Sequence, residues 1–144
     1  MTEIKVCGIK KEEDLLSLID LNVTWAGFVF FKKSIRNVDY KKKELFNKAK
    51  NKIGIVSLFV NPENEFIDTI VQKVSPDLIQ LHGSETPKRC FEIKKRFGIP
   101  VMKALQINGF HSLKQAYKYE DTVDKLLFDA KLTEEKLLCT NILV

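Results

Sequence analysis

The sequence has no long apolar run and no sign of an export signal. Its longest apolar stretch, residues 53–60, is far shorter than the roughly 18 to 20 residues that a membrane-spanning helix needs. The N-terminus lacks a charged segment followed by a hydrophobic one, which is the pattern of a secretory signal. We therefore expect a cytoplasmic protein that does not bind a membrane.

Cysteines are few, and flexible linkers are missing. Cys7, Cys90 and Cys139 are an odd count without the spacing of metal ligands, which argues against a disulfide scaffold and against a zinc site. We expect reduced thiols. No stretch rich in proline, glycine or serine divides the chain, and 44% hydrophobic with 30% charged residues is ordinary globular usage. We predict a single domain over residues 1–144.

The charge is moderately positive. Twenty-four Lys and Arg against 19 Asp and Glu give a net charge of +5, and lysines recur in runs at 10–11, 32–33, 41–43 and 94–95. Aromatic residues are not interleaved with these runs and no nucleic-acid motif accompanies them, so solvated surfaces are the favoured interpretation, with DNA or RNA binding as an alternative. A positive field also attracts a small anionic substrate such as a phosphate ester.

Apolar runs alternate with segments of helical periodicity. Runs rich in Val, Ile and Phe predict six strands, at residues 4–9, 25–30, 53–60, 78–83, 101–107 and 125–130. Each intervening segment, including the last one with Phe110, Leu113, Ala116 and Tyr117, has one apolar stripe to lie against a sheet. This βα repeat predicts a parallel sheet, either open and doubly wound or curled towards a barrel.

Capping residues mark some helix ends. Asn61-Pro62 and Thr86-Pro87 each predict a cap followed by a proline at the first helical position, and Gly98 predicts the end of the fourth helix. After Ala130 the βα pattern stops, and residues 132–144 form a tail that does not fit it.

Polar residues stand out at the ends of three strands. Because side chains alternate across a strand, Cys7, His82 and Asp129 oppose apolar neighbours and should gather at the carboxyl ends of the parallel strands. Taken singly, each has a more common interpretation: a buried apolar cysteine, a hydrogen-bonded histidine, or a turn-capping aspartate. Together they form a candidate site.

Six motifs then carry a family resemblance. KVCGI, GFVFFKKSIRNV, LFVN, QLHGSE, PVMKAL and LLFDAK follow one another between residues 4 and 131. In this order and spacing they resemble phosphoribosylanthranilate isomerase of tryptophan biosynthesis, an enzyme of aromatic amino-acid biosynthesis.

The resemblance implies a TIM-barrel isomerase of the aldose–ketose type that needs no metal and no organic cofactor. Its Amadori rearrangement converts a small anionic phosphoribosyl substrate, with Asp129 matching the general acid and Cys7 the general base. Arg36 matches a residue near the anthranilate carboxylate, and His82 a wall of the same pocket. A thiol is only partly ionised at neutral pH, so nearby Lys5 is expected to assist Cys7.

The resemblance also implies parts that this sequence does not contain. The family continues with a glycine-rich segment and two further strands, whose loops bind phosphate. We therefore expect about six βα units of eight, with activity impaired by the missing phosphate site and with unpaired edges on the first and sixth strands. The alternative is a non-catalytic half-barrel that self-associates or pairs with a complementary fragment.

Overall fold

The computed structural model describes residues 2–130, and within them six parallel strands form one sheet. Every predicted strand is confirmed, with small differences at the ends. In the order of the sheet, which is also the order of the chain, the strands are β1 (Lys5–Cys7), β2 (Trp25–Val29), β3 (Gly54–Phe59), β4 (Leu78–Leu81), β5 (Val101–Ile107) and β6 (Lys125–Ala130).

The strand order separates the two architectures that the sequence left open. A doubly wound sheet reverses its strand order at a switch point, whereas here each strand pairs with its sequence neighbours from β1 to β6. The sheet is also curled, because Lys125 at the start of β6 donates to Glu3 just before β1 over 2.9 Å. The fold is therefore an incomplete TIM-barrel-like half-barrel.

Helices cover the outer face of the sheet. They are α1 (Glu12–Asp20), α2 (Lys43–Ala49), α3 (Asn64–Val74), α4 (Pro87–Phe97) and α5 (Phe110–Leu113), the last continued by a 3-10 helix (Lys114–Tyr119). The outer strand residues that bury themselves against these helices are mostly apolar and include Ala26, Phe28, Ile55, Phe59, Ile79 and Leu81. No helix among residues 2–130 is long and apolar enough to cross a membrane.

The two ends of α4 confirm the predicted caps. Thr86 Oγ1 accepts a hydrogen bond from the backbone N of Arg89 over 3.2 Å, and Pro87 occupies the first helical position. Gly98 ends the helix with φ of 63°, in the left-handed region that glycine enters without steric cost.

The cap predicted at Asn61-Pro62 is wrong. Helix α3 begins later, at Asn64, after Glu63 at the capping position. The Asn61 side chain is used elsewhere: its Oδ1 accepts from the backbone N of Ser84 over 2.9 Å. It therefore joins the loop after β3 to the loop after β4, which the local sequence does not reveal.

The apolar residues expected to form one buried stripe between β5 and β6 do not pack together against the sheet. Phe110 and Tyr117 are each 76% exposed, and of the predicted stripe only Ala116 is buried. The reason is that most of this segment is a 3-10 helix, whose three residues per turn do not align side chains spaced for an α-helix.

The inner face of the sheet holds the residues opposite the helices. Strand register sets Cys7 beside Gly27, Gly27 beside Val56 and Val56 beside Leu78, so these four share one row of that face. In the next row, Gln80 lies beside Met102. The predicted single domain over 1–144 stays a prediction, and the predicted tail 132–144 lies outside the described residues.

Candidate functional site

Cys7 ends β1 on the inner face, and a glycine makes its position possible. A Cβ built on the neighbouring Gly27 would lie 2.9 Å from the Cys7 sulfur and 3.0 Å from its Cα. No side chain fits at 27 without displacing β1, since the backbone cannot rotate away as a side chain does. The half-buried thiol thus occupies space that Gly27 leaves empty.

Arg36 reaches the same end of β1 from the loop between β2 and α2. Gly8, with φ of 93°, lies so close that an added Cβ would stand 2.7 Å from Arg36 Cδ. The loop is held from both sides: Val38 N donates to Val29 O over 2.9 Å, and Lys10 Nζ donates to Ile35 O over 2.9 Å. The half-buried guanidinium side chain is therefore brought against the residue that follows Cys7.

His82 and Asp129 come together from β4 and β6. The distance between His82 Nε2 and Asp129 Oδ2 is 3.4 Å, and Gln80 Nε2 lies 3.3 Å from His82 Nδ1. An amide nitrogen only donates, so in this orientation of the Gln80 amide Nδ1 accepts and the ring proton belongs to Nε2, the nitrogen that lies nearest Asp129. Gln80 was not among the predicted site residues, although its alternation with Ile79 and Leu81 placed it on the inner face.

His82 is held in its neutral form. Burial lowers its pKa below the ordinary value of 6.5, and the charges of Lys103 and Lys5 act in the same direction against the attraction of Asp129. Its 3.4 Å contact with Asp129 is therefore made by a neutral imidazole rather than by an imidazolium.

Lys5 adds a positive charge to the inner face. Its Nζ is buried and has no hydrogen-bond partner among the described residues. A buried ammonium without a partner is costly, so an anionic group placed there would be stabilised. Lys5 shares its face with Cys7, one alternation along the strand, as the sequence predicted.

A buried ion pair lies beneath this site and was not predicted from the sequence. Lys103 Nζ lies 3.0 Å from Glu85 Oε2, and both side chains are only 2% exposed. A signal was present, because a lysine inside the apolar run VMKAL needs a buried counter-charge.

The structure thus brings His82 and Asp129 together and places Arg36 against Gly8, the residue after Cys7, at the carboxyl ends of the strands. Within residues 2–130, no three metal-binding side chains of the His, Cys, Asp and Glu type cluster. What the arrangement offers chemically is a thiol, a carboxyl with an aimed N–H donor, and cations for an anionic molecule.

Comparisons with known proteins agree on one family. The sequence pattern of the family described as N-(5'phosphoribosyl)anthranilate (PRA) isomerase matches residues 4–136. The N-(5'-phosphoribosyl)anthranilate isomerase of Rhizobium meliloti is 40% identical over 131 residues, covering 90% of this chain and 61% of the relative. That of Paramagnetospirillum magneticum is 41% identical over 130 residues, covering 90% and 60%.

Solved structures show the same likeness. The crystal structure of phosphoribosyl anthranilate isomerase from Thermotoga maritima matches with a TM-score of 0.85 and 30% identity, over 93% of this chain and 64% of that one. A phosphoribosyl anthranilate isomerase in complex with reduced 1-(o-carboxyphenylamino)-1-deoxyribulose 5-phosphate matches with a TM-score of 0.83, 30% identity and coverage of 91% and 66%. The chain spans about 60% of the length of the curated relatives it matches.

Gly27→Ala should destabilise the chain through its contact with Cys7. Overpacking of this kind costs about 1 to 3 kcal/mol, measured as the free energy of unfolding in urea. In Cys7→Ala/Gly27→Ala the sulfur contact is gone, while the contacts with Cα at 3.0 Å and Cβ at 3.2 Å remain. The cost of Gly27→Ala should therefore be smaller in the Cys7→Ala background than in the wild type. Strictly additive losses in the double variant would contradict the proposed contact.

The lowered pKa of His82 should make stability depend on pH. In the unfolded chain His82 takes up a proton near its ordinary pKa of 6.5, while the folded state resists protonation. The free energy of unfolding should therefore fall as the pH drops below about 6.5. Urea unfolding between pH 5 and 8, a range that brackets histidine titration, should show the free energy of unfolding falling more steeply with decreasing pH for the wild type than for His82→Gln. Equal pH dependence in the two proteins would refute the role of His82.

Proposed function

The chain belongs to the N-(5'-phosphoribosyl)anthranilate isomerase family, and we propose that it carries the acid–base site of that isomerisation in tryptophan biosynthesis. The substrate is N-(5-phosphoribosyl)anthranilate and the product is 1-(2-carboxyphenylamino)-1-deoxyribulose 5-phosphate. The observation that supports it is the placement of Cys7 and of the His82–Asp129 pair at the carboxyl ends of strands on one inner face. Active sites of (βα) barrels are built at that end.

Asp129 acts first, as the general acid, in the form whose carboxyl carries a proton. It gives a proton to the ring oxygen of the sugar, the C1–O bond breaks, and the lone pair of the anilino nitrogen forms a C1=N bond. The charge that then develops on the Asp129 carboxylate faces His82, whose Nε2 lies 3.4 Å from Oδ2. A hydrogen-bond donor that already lies beside the atom on which charge develops stabilises that charge without any rearrangement of the protein during the reaction.

Cys7 acts second, as the general base. Its thiolate removes the proton from C2, which the adjacent C1=N bond acidifies. The released pair forms a C1=C2 bond and the C1=N electrons return to nitrogen. The resulting enol takes up a proton at C1 and loses the proton of its C2 hydroxyl to give the ketone. A positive neighbour favours the thiolate over the thiol. Lys5 supplies that charge on the same strand face, with its ammonium otherwise unpaired among the described residues.

Arg36 holds the substrate. Its guanidinium has a planar fork of donors that suits the carboxylate of the anthranilate ring. Because Arg36 packs over Gly8, directly after Cys7, a carboxylate bound there sets the reacting carbons near the thiol. Both chemical steps are proton transfers, so we propose no metal and no organic cofactor.

The setting of the reaction follows from the same proposal. We place the protein in the cytoplasm, where a biosynthetic enzyme of this family would meet its substrate, and give it a small phosphoribosyl anion as its partner. The lysine runs then serve to attract that anion, and no nucleic-acid partner is proposed.

Loss of either proton-transferring group should abolish conversion. General acid–base catalysis contributes about 10²- to 10⁴-fold, so Cys7→Ala and Asp129→Asn should each lower kcat by that order. The assay follows the fluorescence of anthranilate, which is lost on conversion by the purified chain.

Matched controls separate these roles from general damage. Cys90→Ala changes a cysteine buried on the outer side in α4, and Asp20→Asn changes an exposed carboxylate at the end of α1. Both controls should keep the wild-type kcat. Unchanged rates in Cys7→Ala and Asp129→Asn together would reject the assigned roles.

A second candidate function is self-association. The described sheet ends on β1 and β6, and strand edges invite pairing with another chain. Near β6, Phe128 is 48% exposed and Tyr117 is 76% exposed. One structural neighbour from Thermotoga maritima consists of monomers generated from a dimeric phosphoribosylanthranilate isomerase.

Light scattering tests this candidate. The mass of the chain should rise with concentration through the micromolar range, and Phe128→Lys should shift the rise to higher concentration by adding charge beside the β6 edge. Ile35→Lys is the matched control, because Ile35 is 90% exposed in the β2–α2 loop. A strictly monomeric wild-type chain would refute self-association.

A further inference from the structure

Lys103 lies where no substrate reaches it. In the register of β4 and β5 it pairs with Leu81, whose side chain packs in the core between sheet and helices. Lys103 therefore points to the outer face, away from Cys7 and Gln80, and is 1% exposed. An ammonium in such a place needs a structural reason.

The Lys103 ammonium uses all three of its hydrogens. Its Nζ lies 2.7 Å from Gly83 O, 3.3 Å from Leu81 O and 3.0 Å from Glu85 Oε2. The two carbonyls belong to the residues immediately before and after His82. Lys103 thus binds the peptide group that precedes His82, through Leu81 O, and the peptide group that follows Gly83, through Gly83 O.

Glu85 completes the arrangement from the other side. Its Oε2 also accepts from Gly83 N over 2.9 Å, and its Oε1 accepts from Asn61 N over 2.7 Å. The hydroxyl of Tyr119 donates to Glu85 O over 2.9 Å. The loop after β4 is therefore anchored to the chain segments that follow β3 and β5.

We infer that Lys103 and Glu85 are a positioning pair, which fixes the backbone around His82 so that its Nε2–H points at Asp129. The catalytic consequence of this pair rests on the proposed function, whereas its effect on His82 does not.

The chain of constraints is short. Each residue has only two free backbone dihedrals. Lys103 holds the peptide group before His82 through Leu81 O, and its partner Glu85 holds the peptide group after His82 through Gly83 N. The remaining freedom is in the side chain, and Gln80 takes up ring nitrogen Nδ1. Nε2 is then left with one direction, towards Asp129. Without Lys103, the carbonyls of Leu81 and Gly83 lose their common donor. The backbone that carries the imidazole is then no longer held in one position.

The test removes both charges together in Lys103→Met/Glu85→Gln, so that neither partner is left as a lone buried charge. The readout is the tautomer of His82 in a long-range ¹H–¹⁵N spectrum of the uniformly labelled chain. The chain has two histidines, and exposed His111 serves as the internal reference. In the wild type we expect a single His82 species with the proton on Nε2; in the double variant we expect a mixture of tautomers.

The matched control removes a different ion pair. Lys94 and Asp124 form an ion pair of 2.7 Å that has no contact with His82, so Lys94→Met/Asp124→Asn should leave the His82 spectrum unchanged. A folded Lys103→Met/Glu85→Gln variant with the wild-type His82 spectrum would overturn the inference. So would a wild-type chain in which His82 shows no single tautomer.

Should the double variant not fold, as judged by circular dichroism, Lys103→Arg is measured instead. Arginine keeps the charge and the pair with Glu85, but its planar fork spreads its donors and does not set three of them on one atom. Loss of the single His82 tautomer there supports the inference, and its retention overturns it.

Kinetics separate this inference from the proposed function. A misplaced catalytic group costs on the order of 10²-fold in rate, so kcat of the double variant should fall by up to that order while KM changes little. If the wild-type chain shows no conversion but His82 responds as expected, the proposed function fails and the positioning pair stands. If the wild type converts substrate and the variant matches it in rate and spectrum, only the positioning pair fails.

Discussion

The buried ion pair between Lys103 and Glu85 is the contact on which the described site depends. Removing one partner of such a pair leaves an uncompensated charge at a cost of about 3 to 5 kcal/mol, and here both side chains are only 2% exposed. The pair lies under the carboxyl ends of β3, β4 and β5, so the same contacts that keep the charges satisfied also shape the loop that carries His82. Stability and site geometry are therefore coupled: a change that loosens the pair acts on both.

Two glycines make room for the other side chains of the site, Cys7 and Arg36. Gly27 leaves the volume that Cys7 fills, and Gly8 leaves the volume that Arg36 crosses. Cys7 and the methylenes of Arg36 are thereby placed at two consecutive residues, 7 and 8, of one strand end. The contrast with His82 is instructive, because that residue is placed by hydrogen bonds from Gln80 and from the loop beneath it. The space left by a glycine and the hydrogen bonds made by polar groups are thus two separate means of fixing side chains at one end of the sheet.

Local patterns accounted for the strands because β2, β3 and β4 are buried on both faces and therefore form short continuous apolar runs, within which side chains still alternate between the two faces. The same alternation was enough to assign Cys7, His82 and Asp129 to a common face. Local patterns failed at Asn61, whose side chain bonds to Ser84 in another loop, and between β5 and β6, where a 3-10 helix replaced the expected α-helix. In both cases the outcome depended on a neighbour distant in sequence or on a choice between helix types that differ little in energy.

The amino-acid sequence alone determined the βα repeat, the faces of the strands, the caps of α4 and the family to which the chain belongs, because each depends on residues close together along the chain. Only the tertiary structure decided that the strands follow one another in chain order across the sheet, that Lys103 pairs with Glu85, and that His82 lies beside Asp129. These three outcomes join segments about 20 or more residues apart, and a contact between such segments exists only once the sheet has curled and brought its strand ends together.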